Sequence, residues 1–240
     1  MENITYSSFL VSNWQATVYT PEGDFSTSKV MSLFYPKWAK TFDADPEVIP
    51  KLPVFPVEIP RITLRNQENS LRLEIAAARL NLFGESRESE SPDELLVSFF
   101  KDAIDIFRDY HEITGFGFGR LAAIIKRYAK HESPGYFLAR HFCKERWDDE
   151  PFDRPTNFEI HAHKTFSFLG EFKVNSWARS KTGRFVKEGK KFPIILFEQD
   201  INTLAEEANE RAFNLKEIQQ FFTNVLSEFD GIHRLYYPEY

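Results

Sequence analysis

The residues with the strongest claim to chemistry are Glu159-x-His161-x-His163. If that stretch is a strand, its period of two puts all three side chains on one face. A His-x-His pair beside a carboxylate has the donor atoms of a Zn²⁺ or Fe²⁺ site once a neighbouring strand adds a ligand. Glu198 and Asp200 are candidates for that addition. A metal-dependent enzyme built on Glu159, His161 and His163 is therefore one expectation. The same residues also suit the solvated face of a strand, which needs no metal.

A second cluster could bind rather than react. Lys173, Trp177, Arg179, Lys181 and Arg184, continued by Phe185, Lys187, Lys190 and Lys191, interleave cations with aromatic rings. Such a stretch can track a nucleic-acid strand or an acidic partner. Lysines solvated on a hairpin produce the same pattern. Two further motifs carry less. Gly115-x-Gly117-x-Gly119-Arg120 has neither G-x-G-x-x-G spacing nor a following Gly-Lys-Ser/Thr, so close strand crossing explains it better than phosphate binding. His141 and Cys143 stand two positions apart on a predicted helix and so do not face each other. Cys143 reads as a small buried hydrophobe. No catalytic residue and no cofactor is expected.

The elements that must position these residues centre on three strands, over Asn157–Leu169, Glu171–Lys181 and Phe192–Asn202. In the first, Phe158, Ile160, Ala162, Phe166 and Phe168 share one parity, broken only by Lys164. Gly170 permits the reversal into the second strand. Residues 181–191 read as a polar, mobile connection. The run Ile194 to Phe197 predicts a third strand covered on both faces. Earlier in the chain, Phe9–Thr20 predicts a strand, and Ser26 or Ser28 caps a helix that Pro36 kinks or restarts. The prolines at 46, 50, 53, 56 and 60 predict an extended segment. Arg61–Arg65 and Leu71–Ile75 predict a hairpin, and Ala76–Phe83 its extension or a third strand, broken at Gly84 and the charges of 85–90. Ser91-Pro92-Asp93-Glu94 opens a long helix bearing Leu96, Phe99, Phe100, Ala103 and Phe107 on one stripe. Ser133-Pro134 opens another, 147–155 forms an acidic loop, and Leu215–Asp230 closes the chain as a helix.

Composition supports a folded interior. The chain has 240 residues, of which 42% are hydrophobic and 16% aromatic, with 25 Phe and a net charge of −6. That charge argues against broad phosphate-backbone binding but leaves room for a local basic groove. A single cysteine excludes an internal disulfide and suits a reducing compartment. No signal-like segment opens the chain and no apolar run approaches the roughly 18–20 residues that span a bilayer. A cytoplasmic protein without membrane contact is expected.

Phe99-Phe100 with Phe107, and Phe221-Phe222 with Phe229, repeat one spacing, and each pair belongs to a long helix that follows strands. The expected fold is α+β: a duplicated strand-helix-strands-helix unit forming a curved antiparallel sheet covered on one face by two long helices. The halves would be 1–113 and 114–240, joined in one compact domain. By analogy of element order, TATA-binding-protein-like and helix-grip folds turn the other face of such a sheet to a partner or ligand.

The segment Pro56-Val57-Glu58-Ile59-Pro60-Arg61, with the run to Asn81-Leu82-Phe83, resembles a sporadically distributed prokaryotic family of uncharacterised proteins that carry Pro-x-Glu-Ile-Pro-Arg before the first hairpin. The resemblance continues through Arg120–Tyr128, Ile194–Asn202 and the closing helix, and it implies a strand at Arg120–Tyr128. It brings no activity and no catalytic residue. Its sporadic spread suggests a chaperone-like, antitoxin-like or phage-defence accessory role. The leading expectation is a non-enzymatic interaction protein, with a protein partner or self-association placed ahead of nucleic acid.

Overall fold

Alternation along the strands sorts the side chains onto the two faces of one antiparallel sheet. The computed structural model describes residues 3–21, 26–50, 56–86, 92–143, 154–187 and 189–239. The strands are β1 (Leu10–Tyr19), β2 (Glu47–Val48), β3 (Ile62–Arg65), β4 (Leu71–Ile75), β5 (Arg79–Glu85), β6 (Arg120–Lys130), β7 (Glu159–Phe168), β8 (Phe172–Lys187) and β9 (Lys190–Thr203). They form a nine-stranded sheet in the order β2-β3-β4-β5-β1-β6-β9-β8-β7. β1 and β6 pair antiparallel at the centre, and each has its own meander beyond it.

The helices are α1 (Thr27–Lys29), α2 (Tyr35–Trp38), α3 (Pro92–Thr114), α4 (Pro134–Cys143) and α5 (Leu215–Tyr236). Ser26 caps α1, its hydroxyl accepting from Lys29 N–H at 3.3 Å. One π turn, Val30–Phe34, joins α1 to α2, and Pro36 falls in the first turn of α2, where its missing N–H costs nothing. α5 starts in a capping box: Asn214 accepts from Glu217 N–H at 3.0 Å while Glu217 accepts from Asn214 N–H at 2.9 Å.

The described helices pack on one face of the sheet. Phe100 and Phe107 of α3 meet Phe222 of α5 at ring distances of 5.9 and 5.6 Å. Beneath them lie Trp14, Ala16 and Val18 of β1, Leu80 and Leu82 of β5, Leu121, Ala123 and Ile125 of β6, and Val174 and Ile201. A smaller cluster under α4 gathers Phe9, Phe137, Leu138, Phe197 and Tyr237. Burying each large side chain contributes about 1.5–3 kcal/mol, enough for the rings to dictate where the helices sit.

Several expectations are corrected. Gly84 and Glu85 do not break the sheet; they lie inside β5. Gly84 is needed there because the Trp14 indole crosses it: an added Cβ would stand 2.0 Å from Trp14 Nε1. Residues 181–191 are not a loose connection, since β8 and β9 pair out to Lys187 and Lys190 with the turn at Gly189. β9 is central, with Ile195, Phe197 and Ile201 buried under the helices; on its other face Ile194 is buried as well, but Leu196, Glu198 and Asp200 are half-exposed. α5 runs past Asp230 to Tyr236. Cys143 is half-buried at the end of α4 rather than fully buried. The Ser91 cap, Pro53 and most of the 147–155 loop lie outside the described residues. Among the described residues, no helix is long and apolar enough to cross a membrane.

Candidate binding face on the uncovered side of the sheet

The strand positions that alternate with the core form the other face, on which no described helix packs. Register aligns them into rows that cross the seam between the halves. One row runs Thr63, Glu74, Asn81, Thr17, Ala122, Asn202, Asn175, Thr165. The next runs Arg65, Arg72, Phe83, Gln15, Ile124, Asp200, Trp177, His163. A third runs Glu85, Asn13, Lys126, Glu198, Arg179, His161. Thr17 (1% exposed), Asn81 (3%) and Asn202 (5%) form a recessed polar floor between longer side chains.

Hydrogen bonds knit this face together. Arg179 donates to Glu198 at 2.6 Å, Lys126 lies 3.2 Å from the other oxygen of Glu198, and Asp200 stands 4.0 Å from Arg179. Asn202 donates to Asp200 at 2.8 Å and accepts from Arg120 at 2.9 Å. On the first half, Gln15 donates to Thr17 at 2.8 Å and Thr17 to Asn81 at 2.9 Å. Two carboxylates in this network shift oppositely. Burial pushes Asp200 up, against the hydrogen bond from Asn202 and the charge of Arg179. Burial also acts on Glu198, but Lys126 and Arg179 outweigh it and hold the carboxyl down. Charge pairing decides the sign where two cations reach one group.

The residues of the metal expectation are on this face, at the edge strand β7. Glu159 accepts from His161 at 2.6 Å, and that bond holds Glu159 below the usual carboxylate range. His163 turns elsewhere, to Asn175 at 3.1 Å, and stacks on Trp177 with ring centroids 4.2 Å apart. Glu198 and Asp200 are two strands away and occupied by Arg179, Lys126 and Asn202. Among the described residues, no group of three or more His, Cys, Asp or Glu is placed to hold a metal ion.

The residues of the binding expectation divide. Lys173, Trp177, Arg179 and Lys181 share the uncovered face of β8, with the Arg179 guanidinium 5.1 Å from the Trp177 ring centre. Arg184 has the opposite parity and lines a separate cavity of about 550 Å³ beside the start of α4. Gly119 belongs to no phosphate loop: the Ala208 carbonyl approaches so closely that a Cβ there would lie 1.8 Å from its oxygen.

Sequence reasoning missed the contribution of β1, β4 and β5. The signal was present in β1, where Asn13, Gln15, Thr17 and Tyr19 alternate with Trp14, Ala16 and Val18. What brings them beside Lys126, Glu198 and Arg179 is the β1–β6 pairing, which links residues over a hundred positions apart in sequence.

No protein-family model and no curated protein matches the chain. Among solved structures, the TBP of Methanococcus jannaschii is similar at 15% identity over 90% of this chain and 98% of its own, with a TM-score of 0.25. A rolling circle replication initiator protein from Geobacillus stearothermophilus is similar at 10% identity over 95% of this chain and 84% of its own, with a TM-score of 0.29. Neither likeness is close enough to bear on function.

Proposed function

We propose that the protein is a non-enzymatic binding module and that its uncovered sheet face holds a nucleic-acid strand. One observation carries the reading: a chain of net charge −6 gathers an excess of cations on this one face. Arg65, Arg72, Arg79, Arg120, Lys126, Lys130, Lys173, Arg179 and Lys181 outnumber Glu47, Glu74, Glu85, Glu159, Glu198 and Asp200 there. Tyr19, Phe83, Tyr128 and Trp177 stand between them. Cations attract phosphates, while ring faces and guanidinium planes accept bases by stacking. A protein partner has less support on this face, because of the large exposed apolar side chains Leu10 (52% exposed) is the one a strand position places there.

The test is fluorescence anisotropy with labelled single-stranded DNA and RNA across a salt series. Affinity should fall steeply with salt, and Lys173→Glu with Lys181→Glu should weaken it tenfold or more while leaving the melting temperature unchanged. Absence of binding at low salt, or binding indifferent to the double variant, would overturn the proposal.

We also infer that the two halves are copies of one α+β unit. Outward from the central seam the order is β1, β5, β4, β3 on one side and β6, β9, β8, β7 on the other, which supports the inference. So does the placement of one long helix, α3 or α5, after each set of strands. A superposition of 9–113 on 116–230 that aligned the helices alone would remove it.

A further inference from the structure

The uncovered face holds a cavity beside its central strand β1. Around Gln15, where β4, β5, β1 and β6 run side by side, this cavity of about 220 Å³ opens, with Ile124 among its lining residues. The register of β1 against β6 shifts between Val11 and Asn13 next to this cavity, and Asn13 pairs with Glu85 on one side and with Lys126 on the other. Bulges of this kind re-aim a side chain and interrupt an otherwise even surface.

We propose that this cavity is a nucleobase pocket, taking one base turned out of the strand; the inference rests on the nucleic-acid reading above. One wall is a cation–ring pair, the Arg72 guanidinium lying over Phe83 at 4.4 Å from the ring centre. Guanidinium groups and aromatic rings are surfaces on which unstacked bases are bound. The hydrogen-bonding groups line the same cavity. Gln15 spends its amide N–H on Thr17 at 2.8 Å, which leaves its carbonyl oxygen as an acceptor. Glu85 adds an exposed carboxylate, while Asn13 and Lys126 bring N–H donors. Donors and acceptors beside a surface for stacking match the mixed edge of a base.

The two acceptors also select. An amino group on the base edge, as in cytosine, can donate to Gln15 or Glu85. Thymine presents a ring N–H between two carbonyl oxygens, and those oxygens meet Glu85 unfavourably. A base already paired in a duplex cannot enter, so the pocket implies a single strand.

The experiment compares anisotropy binding of labelled oligo-thymidine with the same oligomer carrying one central cytosine, at one salt concentration. The wild-type chain should bind the cytosine oligomer about tenfold more tightly. Glu85→Ala with Gln15→Ala should erase that difference while keeping the affinity for oligo-thymidine and the melting temperature. Phe83→Ala should weaken both oligomers about tenfold through lost stacking, and Lys173→Glu with Lys181→Glu should weaken both while preserving their ratio. Equal binding of the two oligomers by the wild type, or a cytosine preference that survives Glu85→Ala with Gln15→Ala, would overturn the pocket and leave the face as a general binder. If neither oligomer binds, the nucleic-acid reading falls and the pocket with it.

Discussion

The two faces of the sheet are built from the same strands and obey different rules. On the covered face, Trp14, Val18, Leu82, Ile125 and Ile201 meet Phe99, Phe100, Phe221 and Phe222, and contact area sets the stability. On the uncovered face the alternate residues of those strands make part-buried ion pairs and side-chain hydrogen bonds. There, screening and side-chain entropy leave each exposed pair at about 0.2–1 kcal/mol. The comparison separates stability from binding. One face holds the fold, and the other is free to carry a ligand because the fold scarcely depends on it.

The sharpest way to break that contrast is to cut into the covered face. Phe222 touches both Phe100 and Phe107, so Phe222→Ala should cost about 3–5 kcal/mol in chemical denaturation. A loss below about 1 kcal/mol would mean that the seam between α3 and α5 does not anchor the helices.

A second effect comes from His233 on α5, which is 1% exposed and packed against Tyr6, Phe9, Phe197 and Tyr237. Burial lowers its pKa to about 3, assisted by Arg127 and Arg234 and opposed by Asp230. A histidine whose folded pKa lies below its unfolded one stabilises the neutral form. Its contribution is complete above the unfolded value near 6.5 and is lost as pH falls from there towards 3. At about pH 5 the loss should reach roughly 2 kcal/mol. His233→Phe should flatten the melting temperature over that range. An unchanged acid slope in the variant would show that His233 is not the group responsible.

The smallest effect belongs to the uncovered face. His161→Ala with His163→Ala removes two exposed hydrogen bonds, to Glu159 and Asn175, and one ring stack, and stability should change by no more than about 0.5 kcal/mol. A chelator should leave the melting point where it was. A stoichiometric metal in the purified protein, with a chelator-sensitive melting point, would restore the metal reading of Glu159, His161 and His163.

Much of this architecture was legible before any coordinates. The hairpin of β3 and β4, the Ser26 cap and the Phe stripes of α3 and α5 follow from local spacing, because period and capping act over a few residues. Leu121, Ile124, Ile125 and Tyr128, by contrast, have helical spacing, and only the resemblance implied the strand found there. The misjudged positions share a cause. Gly84 and residues 181–191 looked like breaks by composition, yet the Trp14 ring needs the missing Cβ of Gly84, and pairing with β9 holds Thr182 and Gly183 extended.

By itself the sequence determined which side chains alternate, hence which parity of each strand could be buried and which had to stay polar. Only the tertiary structure decided that β1 pairs with β6, setting Asn13 and Gln15 among the charges of β6, β8 and β9. The physical reason is range. Periodicity and capping are set by neighbours a few residues apart, whereas strand order and register are chosen by whole-chain packing. Residues from β1, β4, β5 and β6, far apart in sequence, line the cavity of the uncovered face through that packing alone.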